Sequence, residues 1–274
     1  MATSSVTRWS DIDPEHEQEL TRIAARYVRW PHPDLVAQVA EANQVAPWHH
    51  ECRDGLASAG IDPELYLWSG STCLFPGTRR FKNSRTPNSP EKPNGRCAPG
   101  AVVLDSGTNT KAKQVWTSLV GSFNQQRNGY HLVHLFPHQG QEVGNILQEE
   151  HAAEKASPEL LRDARQIGLP GLYTSAANMC FMPGELTRPT DASSLLRQVL
   201  WQKALDLYGT QFLPPILRSV ADSLKPELLP DLEWTAPCFG EPKTAACWKT
   251  LDTRRQQWFR GELAKWKAAQ PTCL

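Results

Sequence analysis

The run Tyr130–His138, YHLVHLFPH, holds three histidines, at positions 131, 134 and 138. A neutral imidazole near pH 7 can take a proton from water, and it is also a common metal ligand. In an extended chain, side chains alternate between two faces. Leu132, His134 and Phe136 then share one face, while His131, Val133 and Leu135 share the other. His134 is a single imidazole near the end of an apolar strand, and Pro137 ends the pairing. The run Ala176–Pro183, AANMCFMP, reads as a second strand with Asn178, Cys180 and Met182 on one face. Asp191 stands at the head of a helix whose Leu195, Leu196, Val199, Leu200, Ala204 and Leu207 form one stripe before a stop at Gly209. Each polar residue also has a structural reading. His134 can be a satisfied core histidine, Asn178 a turn or network residue, and Asp191 a helix N-cap.

Further elements must position these groups. Asp13-Pro14 looks like an N-cap followed by proline at the first helical position, and Leu20, Ile23, Ala24, Tyr27 and Val28 recur at helical spacing. A second helix is expected from Asp34, and a third from Trp48 to about Ala59, despite Gly55 within it. Ala101–Asp105 reads as a buried strand, Lys113–Phe123 as a helix, and Glu149–Ile167 as a charged amphipathic helix. The last helix, from about Asp252 to Ala269, mixes Trp258, Phe259, Leu263 and Trp266 with basic residues.

The order strand, strand, helix, with these residues on it, resembles the HNH or ββα-metal nucleases. Val133-His134-Leu135-Phe136-Pro137 matches the strand that supplies the family's histidine. Asn178-Met179-Cys180-Phe181-Met182-Pro183 matches the second strand, and the helix from Asp191 takes the third place. The match covers about 80 of the 274 residues. Val133 stands where the family usually carries a metal-binding acid, and the zinc-binding cysteine pairs of some members are missing. The resemblance implies phosphodiester hydrolysis with His134 as general base, and Asp191 and Asn178 holding the metal or orienting that base. Mg²⁺ is the first expectation for the ion. His131 or His138 replacing the missing acid would favour Mn²⁺, Ni²⁺ or Zn²⁺.

The most basic stretch is Gly77–Gly100, GTRRFKNSRTPNSPEKPNGRCAPG. It carries Arg79, Arg80, Lys82, Arg85, Lys92 and Arg96 against the single acid Glu91, in a loop-like setting of Pro, Gly, Asn and Ser. It reads either as a solvated loop or as an arm contacting nucleic-acid phosphate, with DNA the expected partner. Against this, 29 Lys and Arg balance 29 Asp and Glu, and free-standing nucleic-acid binders usually carry a basic excess. A protein partner subunit would fit that neutrality, and the nuclease resemblance implies a defence or mobile-element setting.

The start of the sequence shows no signal-peptide pattern, and no window approaches a membrane span. Seven irregularly spaced cysteines do not form a secreted disulfide pattern, so a reducing cytoplasm is expected. His49, His50 and Cys52 match no established zinc spacing. Asp105 with Lys111 and Lys113 resembles the acid-and-lysine pattern of another nuclease class only faintly. No phosphate loop, dinucleotide fingerprint or serine elbow is present.

The expected architecture is α+β, predominantly helical with a small ββα-metal-like core. It comprises a helical region over 1–76, the basic loop over 77–100, the HNH-like region over 101–210 and a helical region over 211–274. The rival functions are a non-catalytic nucleic-acid- or protein-binding subunit and a histidine-based metal hydrolase of small substrates. Convergence of all three histidines would favour the small-substrate enzyme. The basic segment lying beside His134 would favour the nuclease.

Overall fold

Asp13 begins the first helix, α1 (Pro14–Tyr27), as the sequence predicts. Its carboxylate accepts hydrogen bonds from the backbone N–H groups of Glu15 at 3.0 Å and His16 at 3.1 Å. These satisfy donors that a helix start otherwise leaves unpaired. The computed structural model describes residues 13–80, 100–105, 109–120, 129–139, 143, 168–187, 194–223, 229, 232–234, 238–239 and 245–269. The helix expected over Glu149–Ile167 lies outside them.

After α1 come β1 (Trp30–Pro31), α2 (Pro33–Ala42) and α3 (Trp48–Ser58). Gly55 inside α3 has a packing reason. A Cβ there would come within 2.9 Å of the Phe259 and Leu263 side chains on the C-terminal helix, Ala245–Ala269. Glycine weakens a helix interior, but here its missing side chain lets two helices meet.

Two short strands, β2 (Thr78–Arg80) and β3 (Val103–Asp105), pair in parallel, with Thr78 opposite Val103 and Arg80 opposite Asp105. The basic segment thus opens with a strand, not a loop. After α4 (Thr110–Val120), β4 (Tyr130–His134) pairs antiparallel with β5 (Met179–Pro183). The register runs from Tyr130 opposite Pro183 to His134 opposite Met179. The short helix α5 (Pro170–Tyr173) precedes β5, and Ala176–Asn178 form a 3₁₀ turn where the sequence suggested strand. Next come α6 (Ser194–Tyr208), α7 (Pro215–Ser223), β6 (Cys238–Phe239), which pairs in parallel with β1, and α8 (Ala245–Ala269).

β5 lies at the centre because every residue from Met179 to Met182 is fully buried. β4 covers one edge. On the other, Arg29 exchanges backbone hydrogen bonds of 2.8 and 2.9 Å with Phe181. The main core gathers Trp30, Val115, Phe136, Met179, Trp201 and Phe212 from distant parts of the chain. A smaller core joins Trp48, Cys52, Tyr66 and Phe259. The buried Arg255 of α8 ties its helix to α2 and α3, donating to Asn43 Oδ1 at 2.8 Å and lying 4.9 Å from the Trp48 ring centre. The fold is α+β. No helix among the described residues is long and apolar enough to cross a membrane.

Candidate functional site

His134 occupies the last position of β4, and the chain beyond it is held by Asn178, Trp201 and Leu169. Asn178 Oδ1 accepts from the Phe136 N–H at 2.7 Å, while its Nδ2 donates to the Phe136 and Leu172 carbonyls at 3.0 Å each. Trp201 Nε1 of α6 donates to the Leu135 carbonyl at 2.7 Å. The His138 carbonyl accepts from Leu169 N at 3.0 Å. This clamp brings His138 back beside His134, with ring centres 4.6 Å apart.

Tyr173, fully buried at the end of α5, completes the group. Its ring stacks on His134 at 5.3 Å and lies 5.1 Å from His138. Its carbonyl accepts from His134 Nε2 at 3.0 Å. A carbonyl cannot donate, so Nε2 carries the hydrogen and Nδ1 is the basic nitrogen of the neutral ring. The Tyr173 hydroxyl donates to Asp105 Oδ2 at 2.7 Å, with Asn109 Oδ1 farther off at 3.4 Å. Asp105 Oδ2 also accepts from Lys111 N at 2.5 Å. Asn109 reaches this position with φ 55°, a left-handed conformation that asparagine tolerates better than most residues.

The electrostatics follow from burial and one cation. Burial pushes the His134 imidazole down to about 4, with the Arg80 charge adding to the shift and the Tyr173 carbonyl opposing it. Although part of the residue reaches solvent, the ring is densely enclosed and neutral at neutral pH. His138 is held well below the ordinary range by burial first, then by His134 and Arg80. The Tyr173 hydroxyl is raised by burial and by Asp105, so it stays a proton donor.

Of the sequence-selected residues, the structure brings His134 and His138 together, with Asn178 beneath them as the clamp. His131 is exposed on the opposite face of β4 and rests against Gly184, where a Cβ would meet its Nε2 at 2.9 Å. The three histidines therefore do not converge. Asp191 lies outside the described residues, as do Lys82, Arg85 and Arg96. Arg79 and Arg80 diverge, as neighbours on a strand must. Arg79 acts electrostatically on Tyr66, whereas Arg80 acts on His134, His138 and Tyr173.

No family model, curated protein or solved structure gives a match to this chain. Among the described residues, no group of three or more His, Cys, Asp or Glu side chains could hold a metal ion. Two imidazoles under the charge of Arg80 are a poor donor set for Mg²⁺, which prefers carboxylate and water oxygens. Sequence reasoning missed Tyr173, which sits in the apolar run LPGLY with no spacing signal. Asp105 and Lys111 had only a weak acid-and-lysine signal, and their contact is made by the Lys111 backbone N–H and not by its side chain.

Proposed function

We propose that the chain is an endonuclease, hydrolysing nucleic-acid phosphodiester bonds, DNA first, with His134 as the general base. The observation that carries this reading is the position of Arg80. The basic segment opens on a strand whose last residue stands opposite Asp105, and Asp105 binds the Tyr173 hydroxyl beside the paired imidazoles, which supports a phosphate held by that segment lying near His134. The antiparallel β4–β5 pair followed by α6 also has the chain order that the HNH resemblance implies.

In this reading His134 Nδ1 takes the proton of the attacking water. The Tyr173 carbonyl fixes the tautomer, and Asn178 positions the strand end that carries the base. Arg80 offsets negative charge on the phosphoryl oxygens. A divalent ion, Mg²⁺ before Mn²⁺, Ni²⁺ or Zn²⁺, belongs to the proposal through Asp191 and not through His131. The described residues do not fit such an ion on their own.

Nicking of supercoiled plasmid tests the proposal, with Mg²⁺, Mn²⁺, Ni²⁺ or chelator, comparing the intact protein with His134→Ala. Metal-dependent nicking lost in the variant supports it. Equal nicking by both proteins removes His134 from the mechanism. The second reading, a binding subunit without catalysis, is favoured by the close enclosure and low basicity of His134. Retarded DNA migration without nicking under any metal would select it.

A further inference from the structure

Two polar groups around Tyr173 have nothing to bond: Arg80 stands opposite Asp105 in the β2–β3 pair, Asp105 accepts from the Tyr173 hydroxyl at 2.7 Å, and His138 packs 5.1 Å from the Tyr173 ring. Arg80 Nε is shielded from solvent and has no hydrogen-bond partner among the described residues. His138 is 6% exposed, and both of its ring nitrogens lack partners. Its ring is held between His134 and Tyr173 at centre distances of 4.6 and 5.1 Å, so it cannot swing out to water without breaking that packing. Buried polar groups are nearly always satisfied, and unsatisfied ones mark a missing water, ion or ligand.

We propose that Arg80 and His138 form a cradle for a phosphoryl oxyanion. The site rests on the nuclease reading only for nucleic acid as the phosphate's source. An arginine Nε–H can only donate, and an imidazole in either protonation state has at least one N–H to donate. The ligand must therefore present acceptors to the Arg80 Nε–H and to one His138 N–H, and a tetrahedral oxyanion does so with separate oxygens. A cation would meet the Arg80 charge instead. Of the nearby carboxylate, Asp105 Oδ2 is engaged by the Tyr173 hydroxyl and the Lys111 N–H. Arg80 joins the site from β2 and His138 from the segment after β4, so the cradle closes across two separate strand pairs.

Calorimetric titration with inorganic phosphate, in chelator and without nucleic acid, tests the cradle apart from any cleavage. The intact protein should bind phosphate, and Arg80→Gln and His138→Phe should each weaken it about tenfold or more. Arg80→Lys keeps the charge but loses the Nε–H, so it should weaken binding even if the other variants fail to fold. Absence of phosphate binding to the intact protein overturns the proposal, as does unchanged affinity in Arg80→Lys. Competition by a 5′-phosphorylated oligonucleotide, but not by its hydroxyl-ended counterpart, would place a strand end in the cradle. Competition by both would place the backbone there. Phosphate binding with competition by neither keeps the cradle for a free phosphate and removes its nucleic-acid source.

Discussion

Asn178 grips the backbone of Phe136 at both polar atoms, accepting from its N–H at 2.7 Å and donating to its carbonyl at 3.0 Å. A third bond, to the Leu172 carbonyl, joins the strand end to the helix that carries Tyr173. The amide of Asn178 is thus committed to the backbone that follows His134 and to α5. Asn178→Ala should destabilise the fold by about 2–4 kcal/mol, because three buried backbone groups lose their partner. Urea denaturation measures this. A loss below about 0.5 kcal/mol would mean that water replaces the amide and the clamp is dispensable.

His134 and His138 make stability depend on pH in a defined direction. Both imidazoles are less basic in the folded chain than the ordinary value of 6.5. Below that value the unfolded chain binds protons that the folded site refuses, so stability is present at neutral pH and falls as pH drops from about 6.5 towards about 4. For His134 alone the loss is at most about 3 kcal/mol, less to the extent that solvent reaches the ring. Thermal melts between pH 7.5 and 4.5 should show the decline, with a shallower slope in His138→Phe. A melting curve flat over that range in the intact protein would contradict the enclosure of both rings.

The hydroxyl and the carbonyl of Tyr173 have separable roles. Tyr173→Phe removes the donor to Asp105 but leaves the backbone contact that fixes the His134 tautomer. The expected outcome is a stability loss of about 1–3 kcal/mol, since a buried carboxylate loses a donor. If the protein nicks plasmid, the variant should keep most of that activity. A loss as large as in His134→Ala would instead give the hydroxyl a direct part in the reaction.

The parts legible in the sequence are those with long periodic signals. The stripe from Leu195 to Leu207, the cap at Asp13 and the alternation that separates His131 from His134 all follow from local geometry. Strand β2 escaped notice because three residues, Thr78–Arg80, carry no period and sit in a Pro- and Gly-rich basic run. Its partner, β3, begins 25 residues after it, so the pairing has no local signature. The same holds for Tyr173. Its importance comes from meeting Asp105 and His134, each more than 35 residues away in sequence. Spacing rules find residues on one element, whereas this site is assembled between elements.

Gly171 supplies the last expectation, since it sets how closely α5 approaches the loop around Tyr66. A Cβ on Gly171 would stand 2.5 Å from the Leu65 carbonyl oxygen, 2.8 Å from Tyr66 Cα and 2.7 Å from the Trp68 ring. Two of those atoms are backbone and the third belongs to a fully buried tryptophan, so none can step aside cheaply. Gly171→Ala should force α5 away from this wall and carry Tyr173 with it, two residues on. Overpacking of this kind costs about 1–3 kcal/mol. The effect should reach the site, because the Tyr173 carbonyl and hydroxyl hold His134 and Asp105 respectively. Denaturation and the histidine ring signals in NMR measure the two consequences together. Lost stability with unmoved His134 and His138 resonances would show that α5 yields locally, without transmitting the strain to the imidazoles.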